Sequence, residues 1–187
     1  DLVHCYAKGI SEFDEMVRKM IFEKLGIFEK YWDEHKNSLT FAFAMLRYGM
    51  PKADEANLRL PPHTDKRVTT ILSHDDDISG LQIMKKNGEW IDVNYSSSHS
   101  CVFFVGDILA ATTNGRLPSA WHRVIMGNKK RYVMGGAAGI KEGYILKVPE
   151  ELVDEYHPLR YKPFEPAKFY QGVLAGKENC LENYCGA

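Results

Sequence analysis

His63 and Asp65 place an imidazole and a carboxylate one residue apart, with Thr64 between them. On an extended segment, residues two apart project from the same face, so both side chains can reach one metal ion. A third donor must come from elsewhere, and His122, in a later stretch of strand-forming residues, can supply it. Two imidazoles and one carboxylate on one face of a divalent ion leave its other positions open. That set suits an Fe(II) ion that must admit a chelating keto acid and O₂ side by side. Oxidations at such a centre belong to the metal and its cosubstrate, because protein side chains cannot perform them. Zinc on the same three donors would suit a hydrolase, but that chemistry needs a general base beside the ion, and no residue near the triad announces itself as one.

Arg131 follows in the next strand-like segment. Its guanidinium offers two parallel donors matched to a carboxylate, so it can hold the distal end of a dicarboxylic keto acid whose other end chelates the metal. Lys129 and Lys130 are rival cations. Alternation along a strand favours Arg131 over Lys130, and bidentate geometry favours it over Lys129.

Other polar residues read more plainly. His74 leads into Asp75-Asp76-Asp77, where adjacent carboxylates without chelating spacing repel one another and face water. His99 reads as a turn residue, and His4, His35 and His157 have no partner visible in the sequence. Asp107 after Gly106 reads as a turn former, with the orientation of a metal-bound histidine as its alternative role. Trp90 and Trp121 read as strand packing, with pocket lining as the alternative.

The elements that must position these groups come next. From Ile10 to Leu25, apolar residues recur at helical spacing, with Ser11 as a candidate cap and Gly26 as a stop. After Leu39 the pattern changes to short β-branched and aromatic runs: 41–48, 68–72, 81–84, 90–93, 101–105, 108–112, 120–125 and 131–137. Asn87-Gly88 between two of them predicts a two-residue type I′ hairpin. Many short strands at even spacing predict an antiparallel sandwich or barrel, a jelly roll being the natural candidate. Short helices are expected at 150–156 and 167–174. The division is a helical segment over 1–38 and a jelly-roll domain with C-terminal helices over 39–187.

The chain has 187 residues, of which 44% are hydrophobic and 26% charged, enough to bury one core and typical of globular proteins. With 24 basic and 25 acidic residues, no broad field draws it to nucleic acid or to an anionic membrane, so a small-molecule substrate is expected, with the chain a monomer. Cys5, Cys101, Cys180 and Cys185 lack metal-binding spacing and predict reduced thiols in a cytoplasmic protein. No apolar run has the length of a membrane span, and Cys185 sits one place too late for a prenylation box. Beginning at Asp1 rather than Met, the chain reads as part of a longer protein.

Pro62-His63-Thr64-Asp65-Lys66, Gly80-Leu81-Gln82, Gly88-Glu89-Trp90-Ile91, Gly106-Asp107, Asn114-Gly115-Arg116-Leu117 and His122-Arg123-Val124 together resemble the plant 2-oxoglutarate- and iron-dependent dioxygenases. Asn114-Gly115-Arg116-Leu117, the run 127–132 and the run 148–154 look most like the AOP group, whose named members modify glucosinolate side chains. The resemblance covers Leu39 to the C terminus. It implies an all-β core with flanking helices, the double-stranded β-helix of cupin-like jelly rolls. It also implies oxygenation or desaturation of a small plant metabolite or hormone, with 2-oxoglutarate converted to succinate and CO₂, O₂ consumed and ascorbate as reductant. His63, Asp65 and His122 match the iron ligands, and Arg131 matches the 2-oxoglutarate anchor. Three features depart from the family pattern. Val133 stands where Arg-x-Ser would place a hydroxyl donor, Leu46-Arg47-Tyr48 stands for Asn-x-Tyr so that only Tyr48 carries over, and relatives have a longer N-terminal region. The alternative is a non-catalytic descendant of such enzymes, in which these departures mark lost cosubstrate turnover.

Overall fold

Alternating apolar residues give strands one face to bury, and this chain solves that by facing two sheets against each other. The computed structural model describes residues 1–49, 57–74, 80–94, 100–127, 130–176 and 181–187. Its strands are β1 (Leu39–Tyr48), β2 (Leu58–His63), β3 (Thr69–His74), β4 (Leu81–Met84), β5 (Trp90–Asp92), β6 (Cys101–Val105), β7 (His122–Ile125) and β8 (Arg131–Ile140). They form two antiparallel four-stranded sheets, ordered β1-β8-β3-β6 and β2-β7-β4-β5. This is the jelly roll that the sequence leads one to expect. Between the sheets lies an apolar cluster of Leu81, Phe104, Val124 and Met126, with Tyr48, Leu60, Leu72 and Ile83 packed against it.

The helices cover the first sheet from outside. α1 (Leu2–Lys24) begins well before Ile10, with Asp1 accepting from the Val3 nitrogen, so Ser11 lies inside the helix rather than at its cap. Its inward face is partly polar. Asp14 and Arg18 are buried as an ion pair at 2.8 Å, and Thr69 of β3 donates to the same carboxylate at 2.6 Å. A buried ion pair whose carboxylate is hydrogen-bonded at both oxygens can sit where an apolar count would place only hydrophobes, and Met16 and Met20 face solvent while Phe22 is buried. α2 (Phe28–Asn37), absent from the sequence expectation, buries Trp32 and His35 against Phe22.

Three further expectations are corrected. Residues 108–112 form α3 (Asp107–Thr112), not a strand. Every residue of α3 is buried, so it shows no amphipathic period, and a short apolar run cannot be told from a strand on that basis. The Asn87-Gly88 turn is not a two-residue type I′ hairpin. The Gly88 nitrogen donates to Lys85 O, the Lys85 nitrogen to Glu89 O, and only Gly88 of the central residues has positive φ, the pattern of a type I turn closed by a left-handed glycine. The expected helix at 150–156 is a single 3₁₀ turn, Glu150–Leu152, whereas α4 (Pro166–Leu174) forms with proline in its first turn.

One side chain organises the segment after α3. Asn114, buried and with φ of 53°, donates to the carbonyls of Leu152 and Pro158, each at 3.1 Å, and accepts from the Arg160 nitrogen at 2.9 Å. No helix among the described residues is long and apolar enough to cross a membrane. Asp75 to Asp77, His99, Lys129 and Cys180 lie outside the described residues.

Candidate metal centre

His63 ends β2 and His122 begins β7, and the two are direct partners across that ladder. Their rings lie 4.2 Å apart between centroids. Asp65 follows two residues after the strand end, its Oδ1 3.8 Å from His63 Nε2 and 3.6 Å from His122 Nε2. Donor atoms from all three lie within 4.8 Å of one another, and no other such metal-ligating cluster occurs among the described residues. Thr64 turns the other way, as alternation requires.

Both imidazoles are held by their far nitrogens. His63 Nδ1 lies 2.8 Å from Pro61 O and His122 Nδ1 3.1 Å from Ala120 O. A carbonyl only accepts, so each Nδ1 carries the proton and each Nε2 turns a lone pair toward Asp65. Burial pushes the His122 imidazole below its ordinary pKa, against the opposing pull of the Ala120 carbonyl and Asp65, which keeps that lone pair available. His122 also stacks on Phe104 at 4.4 Å. Asp65 Oδ2 is buried without a hydrogen-bond partner among the described residues. Two imidazoles held through Nδ1 and an unsatisfied carboxylate converging on one point fit a divalent cation, and the donor set fits Fe(II).

The ligand-bearing loop is braced from behind. At Gly106, a β-carbon would come within 2.1 Å of Arg67 O, so the chain approaches this closely only through glycine. Asp107 opens α3 rather than a turn between two strands, and its carboxylate accepts from Thr64, Lys66 and Ser119. Sequence reasoning named Asp107 but could not find these partners, which lie far from it along the chain.

The facing sheet supplies the other candidates. Alternation on β8 buries Arg131 and Val133, at 2% and 3% exposure, and turns Tyr132 and Met134 outward. Lys130 is exposed, as expected of Arg131's neighbour. Tyr48 is the β1 partner of Arg131, and Leu46 that of Val133. Both triad histidines stand on one sheet and Arg131 on the other, with the apolar cluster between. Trp90 lies outside this space, under the Arg123 guanidinium, and Trp121 is 44% exposed.

The profile of the 2OG-Fe(II) oxygenase superfamily matches residues 40–137, a span holding both sheets, the triad and Arg131. The chain belongs to this superfamily. Among curated relatives, a probable 2-oxoglutarate-dependent dioxygenase of Arabidopsis thaliana, AOP1, is 44% identical over 90% of this chain and 57% of its own length. The chain thus spans little more than half of that relative. Among solved structures, a rice dioxygenase for auxin oxidation superposes with a TM-score of 0.84 at 25% identity, covering 98% of this chain and 63% of the other. JOX2, solved in complex with 2OG, Fe and JA, superposes at 0.85 and 22% identity over 99% of this chain and 56% of its own, a likeness of fold. Membership in the 2OG-Fe(II) oxygenases implies Fe(II) and 2-oxoglutarate.

Proposed function

We propose that this chain is the catalytic portion of a 2-oxoglutarate-dependent dioxygenase acting on a small plant metabolite or hormone. The observation that carries the reading is the convergence of His63 Nε2, His122 Nε2 and Asp65 Oδ1 opposite a buried arginine on the facing sheet. His63, Asp65 and His122 hold the metal. Arg131 receives the distal carboxylate of 2-oxoglutarate, with Tyr48 beneath it and Val133 beside it.

When bound, ferrous iron would supply the oxidation: one oxygen atom of O₂ would go into succinate as 2-oxoglutarate loses CO₂, the other into the substrate or out as water with two substrate hydrogens, and ascorbate would keep the iron reduced. The chain's own residues orient and enclose. The two backbone carbonyls fix the imidazole tautomers, Phe104 holds the His122 ring in plane, and Leu72, Leu81 and Phe104 keep water from the reacting space. The likeness to AOP1 of Arabidopsis thaliana and to the rice dioxygenase for auxin oxidation supports a plant metabolite as the substrate. The test is succinate release from 2-oxoglutarate with Fe(II), ascorbate and O₂, followed by a mass-spectrometric search of plant extracts for a product gaining one oxygen. Metal binding without succinate release under any substrate would instead support the non-catalytic alternative.

A further inference from the structure

The triad is built from two places in the chain, and one buried carboxylate touches both. Asp107, 4% exposed, accepts at Oδ2 from Thr64 Oγ1 at 3.1 Å and from Lys66 Nζ at 2.8 Å. Lys66 Nζ also donates to Thr64 Oγ1 at 2.7 Å, closing a triangle. Thr64 and Lys66 are interleaved along the chain with His63 and Asp65, so holding the first pair restrains the backbone that carries the second. The Asp107 nitrogen donates to Asp65 O at 2.7 Å, and Gly106 and Ile108 grip Val68 and Arg67 in the same way. At its other oxygen, Asp107 accepts from Ser119, which immediately precedes the Ala120 whose carbonyl holds His122.

A second consequence is electrostatic. Lys66 is adjacent in sequence to a metal-ligating carboxylate and only partly exposed, so a bare ammonium there would repel an entering dication at short range. The ion pair with Asp107 cancels that charge while leaving Asp65 to the metal.

We propose that Asp107 is a positioning residue for the metal centre, tying the His63–Lys66 loop to the approach of His122 and neutralising Lys66 behind it. This rests on the assignment of the triad as a metal site. Both steric and charge roles act before any turnover, so metal affinity reads them directly.

The experiment is anaerobic titration of the apo chain with Co(II), following its visible absorption bands, alongside thermal melts of each apo variant. Asp107→Asn weakens Co(II) binding by about tenfold to a hundredfold, the range for partners that orient metal ligands. Lys66→Met, which leaves Asp107 anionic near the site, tightens binding by roughly threefold or more. The double variant Asp107→Asn/Lys66→Met recovers most of the loss, because asparagine still accepts from Thr64 or Ser119 and no bare cation remains. Parental affinity in Asp107→Asn overturns the proposal, as does a loss that Lys66→Met does not recover, since Asp107 would then only stabilise the fold. If Asp107→Asn does not fold, Lys66→Met decides alone, and equal or weaker binding overturns the proposal. Absence of Co(II) binding in the parent chain overturns the metal site itself and this inference with it.

Discussion

Tyr48 and Arg131 face each other directly across the β1–β8 ladder, the guanidinium carbon 5.6 Å from the centre of the phenol ring. The ring offers its negative face to a cation whose own surroundings are almost dry. An arginine stacked in this way has one of its faces fixed, which limits the directions its donor edge can take.

Replacing Arg131 by Leu should weaken 2-oxoglutarate at least tenfold, since a hydrogen bond to a charged group contributes about 1.5 to 3 kcal/mol and this one is bidentate. Tyr48→Leu should cost about threefold to tenfold through the lost cation–π contact, while Tyr48→Phe keeps the ring and stays near the parent. Anaerobic calorimetry on Fe(II)-loaded protein gives both numbers. Equal keto-acid affinity in Arg131→Leu would move the anchor elsewhere.

His63→Ala, Asp65→Ala and His122→Ala should each abolish stoichiometric Fe(II) binding, because two protein donors do not hold a labile divalent ion against water. Metal content after gel filtration reports it. A His122→Ala chain that keeps its iron with unchanged affinity would show that β7 does not contribute a ligand.

Val133 shares the buried face of β8 with Arg131, so a hydroxyl placed there points where the guanidinium points. Val133→Ser should therefore tighten 2-oxoglutarate about tenfold, and the gain should vanish in an Arg131→Leu background because both groups act on one carboxylate. The measurement is the calorimetric double-mutant cycle. Additive effects would mean that the two side chains serve different groups.

His35, buried against Phe22 and Trp32, has its pKa pushed down from 6.5 to about 3, first by burial and then by the Arg18 cation. The folded value lies below the unfolded one, so below about pH 6.5 the unfolded chain takes up a proton that the folded chain refuses, and stability falls until the pH nears 3. At about pH 4.5 this amounts to roughly 3 kcal/mol, at about 1.4 kcal/mol for each unit. Thermal melts of the parent and of His35→Phe between pH 7 and about pH 4.5 should diverge, the parent falling further by several degrees. Parallel curves would show that His35 does not titrate with unfolding.

The residues that converge at the metal centre were legible because their signal is local: His63 and Asp65 lie two apart at the end of β2, and His122 and Arg131 each open a strand. The jelly roll was legible for the same reason, through alternation and turn residues. What stayed hidden depends on tertiary contacts. α3 is buried on every side and so carries no period, α2 begins at Ile27 without a side-chain cap, and Asp14 and Arg18 are polar residues buried as a pair whose carboxylate also accepts from Thr69. The Asp107 clasp joins residues more than forty positions apart through Thr64 and Lys66, a distance no spacing rule spans.

Asn114-Gly115 is also a chemical liability, since an asparagine before glycine loses its amide when the next backbone nitrogen attacks the side-chain carbonyl. In the fold that nitrogen donates to Ala110 O at 2.7 Å and the amide is engaged at both ends, so the attack is blocked while α3 stays closed. At Asn87-Gly88 the corresponding bonds, from the Gly88 nitrogen to Lys85 O and from the Glu89 nitrogen to Asn87 Oδ1, lie in an exposed turn and open to water without any helix having to move. Stored protein should therefore accumulate isoaspartate at position 87 with time alone, whereas conversion at position 114 would occur only through openings of the segment that begins at Asp107. Peptide mapping of aged samples would thus count how often the brace behind the metal loop lets go.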